Sequence, residues 1–120
     1  MKILVKEHIS TGFTGSDADI LNSLVRNAIN NADKNNEPII IDFEGIEMYA
    51  TFFFNVALAP FLEFMSKKEY DSKIKVINLT SVGEAAYSLS YEGAVEYYSL
   101  TPEMRKAREE IHAEILEEFF

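Results

Sequence analysis

The feature of this sequence that most constrains its fold is the run Ile39-Ile40-Ile41-Asp42-Phe43, which follows Pro38. β-Branched side chains favour a strand, because they suit a pleated backbone. An unbroken apolar run of this kind is typical of a strand covered on both faces, as in the parallel sheets of α/β proteins. We therefore predict that the run forms a central strand.

Two helices are predicted next to this strand along the chain. The first is capped by Ser16 and has apolar residues at the spacing of one helical face. These residues are Ile20, Leu21, Leu24, Val25, Ala28, Ile29 and Ala32. The second has Thr51 as its cap and runs through the apolar segment 52–62. Because Pro60 removes a backbone donor there, we expect a kink or a change of hydrogen-bond partners near Val56.

The sequence on either side of these elements adds two strands and a third helix. Residues 2–6 predict a strand near a sheet edge, and residues 73–79 predict another strand after a charged loop at 67–72. Ser81, three residues before a glutamate, has the spacing of a capping box and opens a helix. The far end of that helix stays open, because the pair Tyr97-Tyr98 also suits a short final strand.

A C-terminal helix is predicted over about 102–119, with Thr101 as cap and Pro102 at its first position. One face of this helix carries Met104, Ala107, Ile111, Ile115 and Phe119. The order of elements predicts an α/β sandwich with a small mixed, mainly parallel sheet. At this length we expect a single domain over residues 1–120.

Composition narrows the classes of function. The chain has 20 acidic and 11 basic residues and a net charge of −9, which disfavours binding to nucleic acids and to anionic membranes. No apolar run is long enough for a membrane span or a signal peptide, so we expect a cytoplasmic protein. Residues 35–66 contain no Lys or Arg. A partner of that region is therefore expected to be basic or neutral.

Few residues in the chain have the pattern of a catalytic or metal site. There is no cysteine, and His8 and His112 are far apart in sequence, so neither a metal site nor a cofactor is expected. The best carboxylate candidates are Asp17, Asp19 and Asp42, the last at the end of the central strand. Because no nucleophile or phosphate loop accompanies them, we interpret all three as structural and expect no enzyme activity.

Phe52 is the residue that the helical pattern explains least well. A helical wheel places it on the polar face with Asn55, whereas Phe53 and Phe54 fall on the opposite, core-facing side. Two interpretations remain open. Either the C-terminal helix or Tyr49 covers Phe52 within the chain, or Phe52 anchors a partner.

The residues around this helix start resemble the STAS domain, which is named after sulphate transporters and anti-sigma-factor antagonists, and more closely a STAS-like branch of bacterial proteins. The resemblance rests on Asp42-Phe43-Glu44-Gly45-Ile46, followed after a short turn by Thr51-Phe52-Phe53-Phe54-Asn55. In antagonists resembling this pattern, a serine at the helix start is phosphorylated. Phe52 stands at that position here, so the resemblance does not carry the serine switch over. Thr51, one residue earlier, keeps a hydroxyl.

The resemblance implies a non-enzymatic regulatory domain that binds a protein partner, either a kinase-like ATPase or another bacterial regulator. The partner site is expected at the loop and helix start, with Tyr49, Thr51, Phe52 and Asn55 as binding residues. Phosphorylation of Thr51 is a further hypothesis, set against a capping role. The alternative function is a small nucleotide-binding or hydrolytic domain that uses the three aspartates. Homodimerisation through the acidic C-terminal helix or the aromatic surface is a third hypothesis.

Overall fold

The computed structural model describes residues 1–31 and 37–119, with side chains described as far as Ile111. Some of the predictions concern positions beyond these limits. Ala32 on the first helix and the side chains of His112, Ile115 and Phe119 lie outside the described residues.

The sheet of the described chain has three parallel strands. They are β1 (Lys2–Leu4), β2 (Ile39–Asp42) and β3 (Ile74–Ile77), in the order β1-β2-β3. The predicted central strand is confirmed as β2, with β1 on one side and β3 on the other. The α/β class is confirmed as well, and the pairs of this sheet are all parallel rather than mixed.

Helices follow each strand and form the layer that covers the sheet. Within the described residues they are α1 (Gly15–Asn31), α2 (Thr51–Ala57), α3 (Lys67–Lys73), α4 (Ser81–Ser99) and α5 (Pro102–Phe119). Short 3₁₀ turns occupy Val5–Glu7 and Ala59–Glu63. α2 lies between α1 and α4 and packs on both. None of the helices in the described ranges combines the length and apolar character needed to cross a lipid bilayer.

The two faces of the sheet differ in burial. Ile39 and Ile41 lie on the face that packs against the helices and are buried. Ile40 points to the opposite face, where its neighbours across the sheet are Lys2 and Lys75, and it is only partly buried. The expectation that all three isoleucines are buried was therefore wrong for Ile40. The aliphatic parts of the Lys2 and Lys75 side chains can cover Ile40 in part, because lysine packs its methylene groups on apolar neighbours while its ammonium group stays in water.

Three predicted helix caps are corrected by the structure. Thr14, rather than Ser16, accepts the hydrogen bond from the Asp17 N–H at the start of α1, at 3.1 Å. At α4 the cap is Thr80, rather than Ser81, and its hydroxyl accepts from the Gly83 N–H. At α2 the cap position is Ala50 and no side chain caps the helix, so Thr51 is the first helical residue instead. The predicted Thr101 cap of α5 is confirmed.

α2 ends sooner than a single long helix would. The break falls at Leu58 and a 3₁₀ turn follows, because Pro60 cannot donate a backbone hydrogen bond and constrains the residue before it. The side-chain amide of Asn22 on α1 donates to the carbonyls of Val56 at 3.4 Å and Ala57 at 3.1 Å. A side chain of α1 thus satisfies carbonyls that the interrupted helix leaves free.

Two other predictions differ from the structure between residues 67 and 99. The predicted charged loop at 67–72 is helix α3, which Ser66 caps by accepting from the Glu69 N–H and which buries Tyr70. The pair Tyr97-Tyr98 belongs to α4 and not to a final strand. α3 is short and has Tyr70 as its one buried residue, whereas in α4 the partly buried Tyr87, Tyr91 and Tyr98 recur at helical spacing.

Candidate functional site

The loop after β1 and the segment before α2 are held together by backbone pairing. Gly12 donates its N–H to the carbonyl of Met48 at 2.8 Å, and its own carbonyl accepts from the N–H of Ala50 at 2.9 Å. This short parallel bridge fixes the start of α2 beside the start of α1. The candidate site of the sequence analysis is therefore built from two segments instead of one.

The buried ring of Tyr49 packs against a third segment, the start of α4, as well as against the first loop. A Cβ atom on Gly12 would lie 2.6 Å from the Tyr49 ring, and one on Gly83 in α4 would lie 2.9 Å from it. The ring also stacks on Phe54, with centroids 6.1 Å apart, and packs against Phe43. Only glycine leaves room for such a ring at both positions.

The sequence analysis placed Tyr49 among the partner-binding residues, but its side chain is only 8% exposed. Its hydroxyl has no hydrogen bond of good geometry to the described residues, although the Thr80 backbone lies near it. Burial raises the pKa of the phenol to about 12. Tyr49 is thus a support beneath the surface, and it does not itself offer a face to a partner.

Phe52 points outward at the first turn of α2. Its side chain is 57% exposed, whereas Phe53 and Phe54 are fully buried and contact each other and Phe43. The ring lies along the start of α1, where a Cβ atom on Gly15 would be 3.6 Å from it. Cover by α5 or Tyr49, one of the two interpretations left open, is therefore contradicted.

Thr51 and Asn55 lie on the same helix as Phe52. Thr51 is partly buried, and it does not have the capping role that was weighed against phosphorylation. Asn55 is exposed, but its side-chain oxygen accepts a hydrogen bond from Ser90 on α4 at 2.6 Å. Asn55 therefore joins α2 to α4 in addition to lying next to the exposed phenylalanine.

Sequence reasoning missed three exposed apolar side chains on the segments that Tyr49 joins. Phe13 in the first loop is 51% exposed, Met48 before α2 is 57% exposed, and Val82 at the start of α4 is also exposed. We call these three residues together with Phe52 the apolar surface. The phenylalanine in Thr11-Gly12-Phe13-Thr14-Gly15 was a usable signal, because an aromatic residue between two turn glycines has few neighbours in the chain to cover it.

Asp42 is buried at the end of β2, and its carboxylate is fully engaged. One oxygen accepts from the Asn78 side-chain amide and from the Glu44 N–H, both at 2.9 Å, and the other pairs with Lys2 at 3.3 Å. The hydrogen bond from Asn78, then that from Glu44, holds the pKa of Asp42 below its ordinary value. Asn78 has the left-handed backbone conformation, with φ of 61°, that asparagine tolerates well.

The other two aspartates serve different parts of the fold. Asp17 accepts from the N–H and the hydroxyl of Thr11, which holds the first loop against α1. Asp19 is exposed on α1. Within the described residues, no group of three metal-ligating side chains is placed to hold a metal ion. The two engaged carboxylates thus have structural partners in separate places.

The segment that carries Met48 and Phe52 is acidic. Glu44 and Glu47 are exposed, and the described segment 37–66 contains no cationic side chain, although the Lys6 side chain lies beside Gly45. Glu63 is exposed too, but it lies near Tyr98 on α4. Asp42 adds little to this field, because it is buried and paired with Lys2. The surface therefore presents apolar groups beside carboxylates.

The fold and the site define a small α/β domain in which a parallel sheet supports an exposed aromatic residue at a helix start. A family model described as a STAS-like domain of unknown function (DUF4325) matches residues 23–84, and the chain belongs to this family. The matched residues include β2, α2 and all of the apolar surface except Phe13. Comparison with curated proteins and with solved structures gave no match.

Proposed function

We propose that this chain is a non-catalytic interaction domain that binds a regulatory protein through the apolar surface, with Thr51 and Asn55 at its edge. The observation that carries the proposal is the exposure of Phe52 at a helix start that backbone pairing holds in place. Burying a phenylalanine side chain contributes roughly 2–3 kcal/mol, so an exposed one on a rigid support is a strong potential anchor.

The support under Phe52 favours binding without rearrangement. The backbone pairs of Gly12 and the ring of Tyr49 hold the three segments in place. A partner then loses little free energy to ordering of the surface. This is the arrangement expected of an interaction site, whereas a loose loop would reduce the affinity.

The partner is proposed to be a protein with an apolar pocket and a neutral or basic rim. The exposed carboxylates of Glu44 and Glu47 would repel an acidic rim. Kinase-like ATPases and other bacterial regulators, which the STAS resemblance implies, are the first partners to test. Binding should weaken as the salt concentration rises, because exposed charges are screened.

Phosphorylation of Thr51 would regulate this surface directly. A phosphate adds close to two negative charges beside Phe52, and in an already acidic region this would oppose an apolar contact. Mass spectrometry of the protein purified from its source organism tests this part of the proposal. Unmodified Thr51 under all growth conditions would remove the regulatory step and leave the binding proposal intact.

The binding proposal is tested by comparing what three baits retain from a lysate of the source organism. The baits are the wild type, Phe52→Ser and Phe64→Ser, where Phe64 is a matched control because it is 63% exposed on another part of the chain. We expect a partner that the wild type and Phe64→Ser retain and that Phe52→Ser binds more weakly by about 1–3 kcal/mol. Equal retention by all three baits would contradict the proposal.

A further inference from the structure

The outer edge of β3 is unpaired within the described residues and lies beside a groove. The groove has a volume of about 420 Å³, with β3 on one side and α3 and α4 on the others. From α4 it is lined by Tyr87 and Tyr91, whose rings stack with centroids 6.0 Å apart. The helical layer thus extends past the last strand of the sheet.

The backbone of Val76 faces this open edge. The Ile77 carbonyl accepts from the Phe43 N–H, so Ile77 turns its backbone groups toward β2. Successive residues of a strand point their backbone groups to alternate sides, which directs those of Val76 away from β2. The N–H of Ile74 also faces outward but is already bonded to the Tyr70 carbonyl. Val76 therefore offers a donor and an acceptor to a further strand.

The segment that forms β3 and α3 beside the groove has a net positive charge, although the chain as a whole is acidic. Residues 66–77 carry four lysines against two acids, in a chain with a net charge of −9. The lysines are Lys67, Lys68, Lys73 and Lys75, and all are exposed. The Asp71 carboxylate lies at the groove and accepts from the Lys67 ammonium and from the Tyr91 hydroxyl, and Lys75 donates to the Asp71 backbone carbonyl. Its charge is therefore already matched by neighbouring groups.

We infer that the edge of β3 binds an extended, acidic peptide segment of a protein partner as an added strand. Apolar side chains of the peptide would rest on Tyr87 and Tyr91, on the side of the sheet that faces the helices. The alternate side chains would point to the other face, on which the Lys75 side chain leaves the strand before its ammonium group bonds the Asp71 carbonyl, and there carboxylates are favoured. A second copy pairing through its own β3 is disfavoured, because it would bring the same lysines together.

This interaction surface is separate from the apolar surface, so the two proposals can fail independently. The test uses isotope-labelled full-length protein and two probe peptides, acetyl-(Val-Glu)₄-amide and acetyl-(Val-Lys)₄-amide. We expect the acidic peptide to shift the amide resonances of Ile74–Ile77 saturably and to slow hydrogen exchange at Val76 by about tenfold or more. The basic peptide should do neither.

Val76→Pro removes only the edge-facing N–H, so it should abolish these effects while the fold is kept. If this variant does not fold, the double variant Lys73→Glu with Lys75→Glu decides, because it should reverse the preference to the basic peptide. The inference is overturned if β3 is unaffected by both peptides or equally affected by both. It is also overturned if Val76 in the free protein exchanges as slowly as Ile77, since the edge would then be covered already.

Discussion

The hydrogen bonds and the ion pair of the buried Asp42 carboxylate should make this one side chain important to the stability of the sheet. Asp42→Asn keeps the shape of the side chain but loses the charge that Asn78, Glu44 and Lys2 stabilise. We expect the free energy of unfolding at pH 7 to fall by about 1–3 kcal/mol, the usual cost of disturbing a buried hydrogen-bonded group. Urea unfolding of both proteins measures this difference.

The pH dependence of that difference has a defined sign. The pKa of Asp42 in the folded protein lies below its ordinary value of 3.8. The stabilisation is therefore fully present well above pH 3.8 and is lost as the pH falls through the folded pKa. The gap in stability between wild type and Asp42→Asn should narrow below pH 3.8. A gap that stays constant there would show that the carboxylate charge does not contribute.

Saturable hydrolysis of a nucleotide or ester that Asp42→Asn removes at unchanged stability would overturn the structural role.

The two glycines of α4 provide a matched test of the packing around Tyr49. Gly83→Ala would place a Cβ atom 2.9 Å from the Tyr49 ring, whereas nothing lies within 4 Å of a Cβ atom on Gly93. We expect Gly83→Ala to destabilise the protein by about 1–3 kcal/mol through overpacking. Gly93→Ala should stabilise it by about 0.5–1 kcal/mol, because alanine favours a helix interior. Thermal melts that rank the two variants in the opposite order would contradict this account.

At the scale of elements, the start of α4 gives a prediction that separates the two candidate caps. The hydroxyl of Thr80 accepts from the Gly83 N–H at 3.1 Å. Thr80→Ala should therefore cost about 1 kcal/mol, whereas Ser81→Ala, at the first helical position, should change stability by less than about half of that. Chemical denaturation of the two variants decides between them, and equal losses would reject Thr80 as the cap.

The elements that could be predicted from sequence are those with long or unbroken apolar patterns. The isoleucine run gave β2, and the apolar face from Leu21 to Ala28 gave α1. α3 was missed because seven residues with Tyr70 as their one buried residue show no clear period. Its capping signal was nevertheless present, since Ser66 stands three residues before Glu69.

The candidate site could be predicted only in part, for a related reason. Helical spacing alone was enough to predict that Phe52 is exposed and that Phe53 is buried, as the structure shows. The burial of Tyr49 depends on Gly12 and Gly83, which are far from it in sequence. The local sequence around Tyr49 therefore does not predict that its ring is buried. Contacts of this kind are set by tertiary packing, and a single sequence does not reveal which loops meet.

At the scale of the whole molecule, α5 is the element least integrated with the rest. Its described contacts lie on α4, where Arg108 pairs with Glu96 and Arg105 lies over the rings of Tyr97 and Tyr98. Met104 and Ile111 on its apolar face are exposed. α5 therefore leaves Phe52 uncovered, and homodimerisation through this helix remains a hypothesis that sizing at several protein concentrations tests.

The claim on which the account depends most is that Phe52 belongs to the surface and not to the core. The most direct measurement is the melting temperature of Phe52→Ser beside that of Phe53→Ser, with the oligomeric state of the wild type determined by sizing. For Phe53→Ser we expect a loss of about 3–5 kcal/mol, the range for truncating a buried phenylalanine. At about 4 °C per kcal/mol this lowers the melting temperature by more than about 10 °C. For Phe52→Ser the account predicts a change within about 2 °C, as for an exposed position. A fall in the melting temperature of Phe52→Ser close to that of Phe53→Ser, with a monomeric wild type, would contradict the account and remove Phe52 from the binding surface.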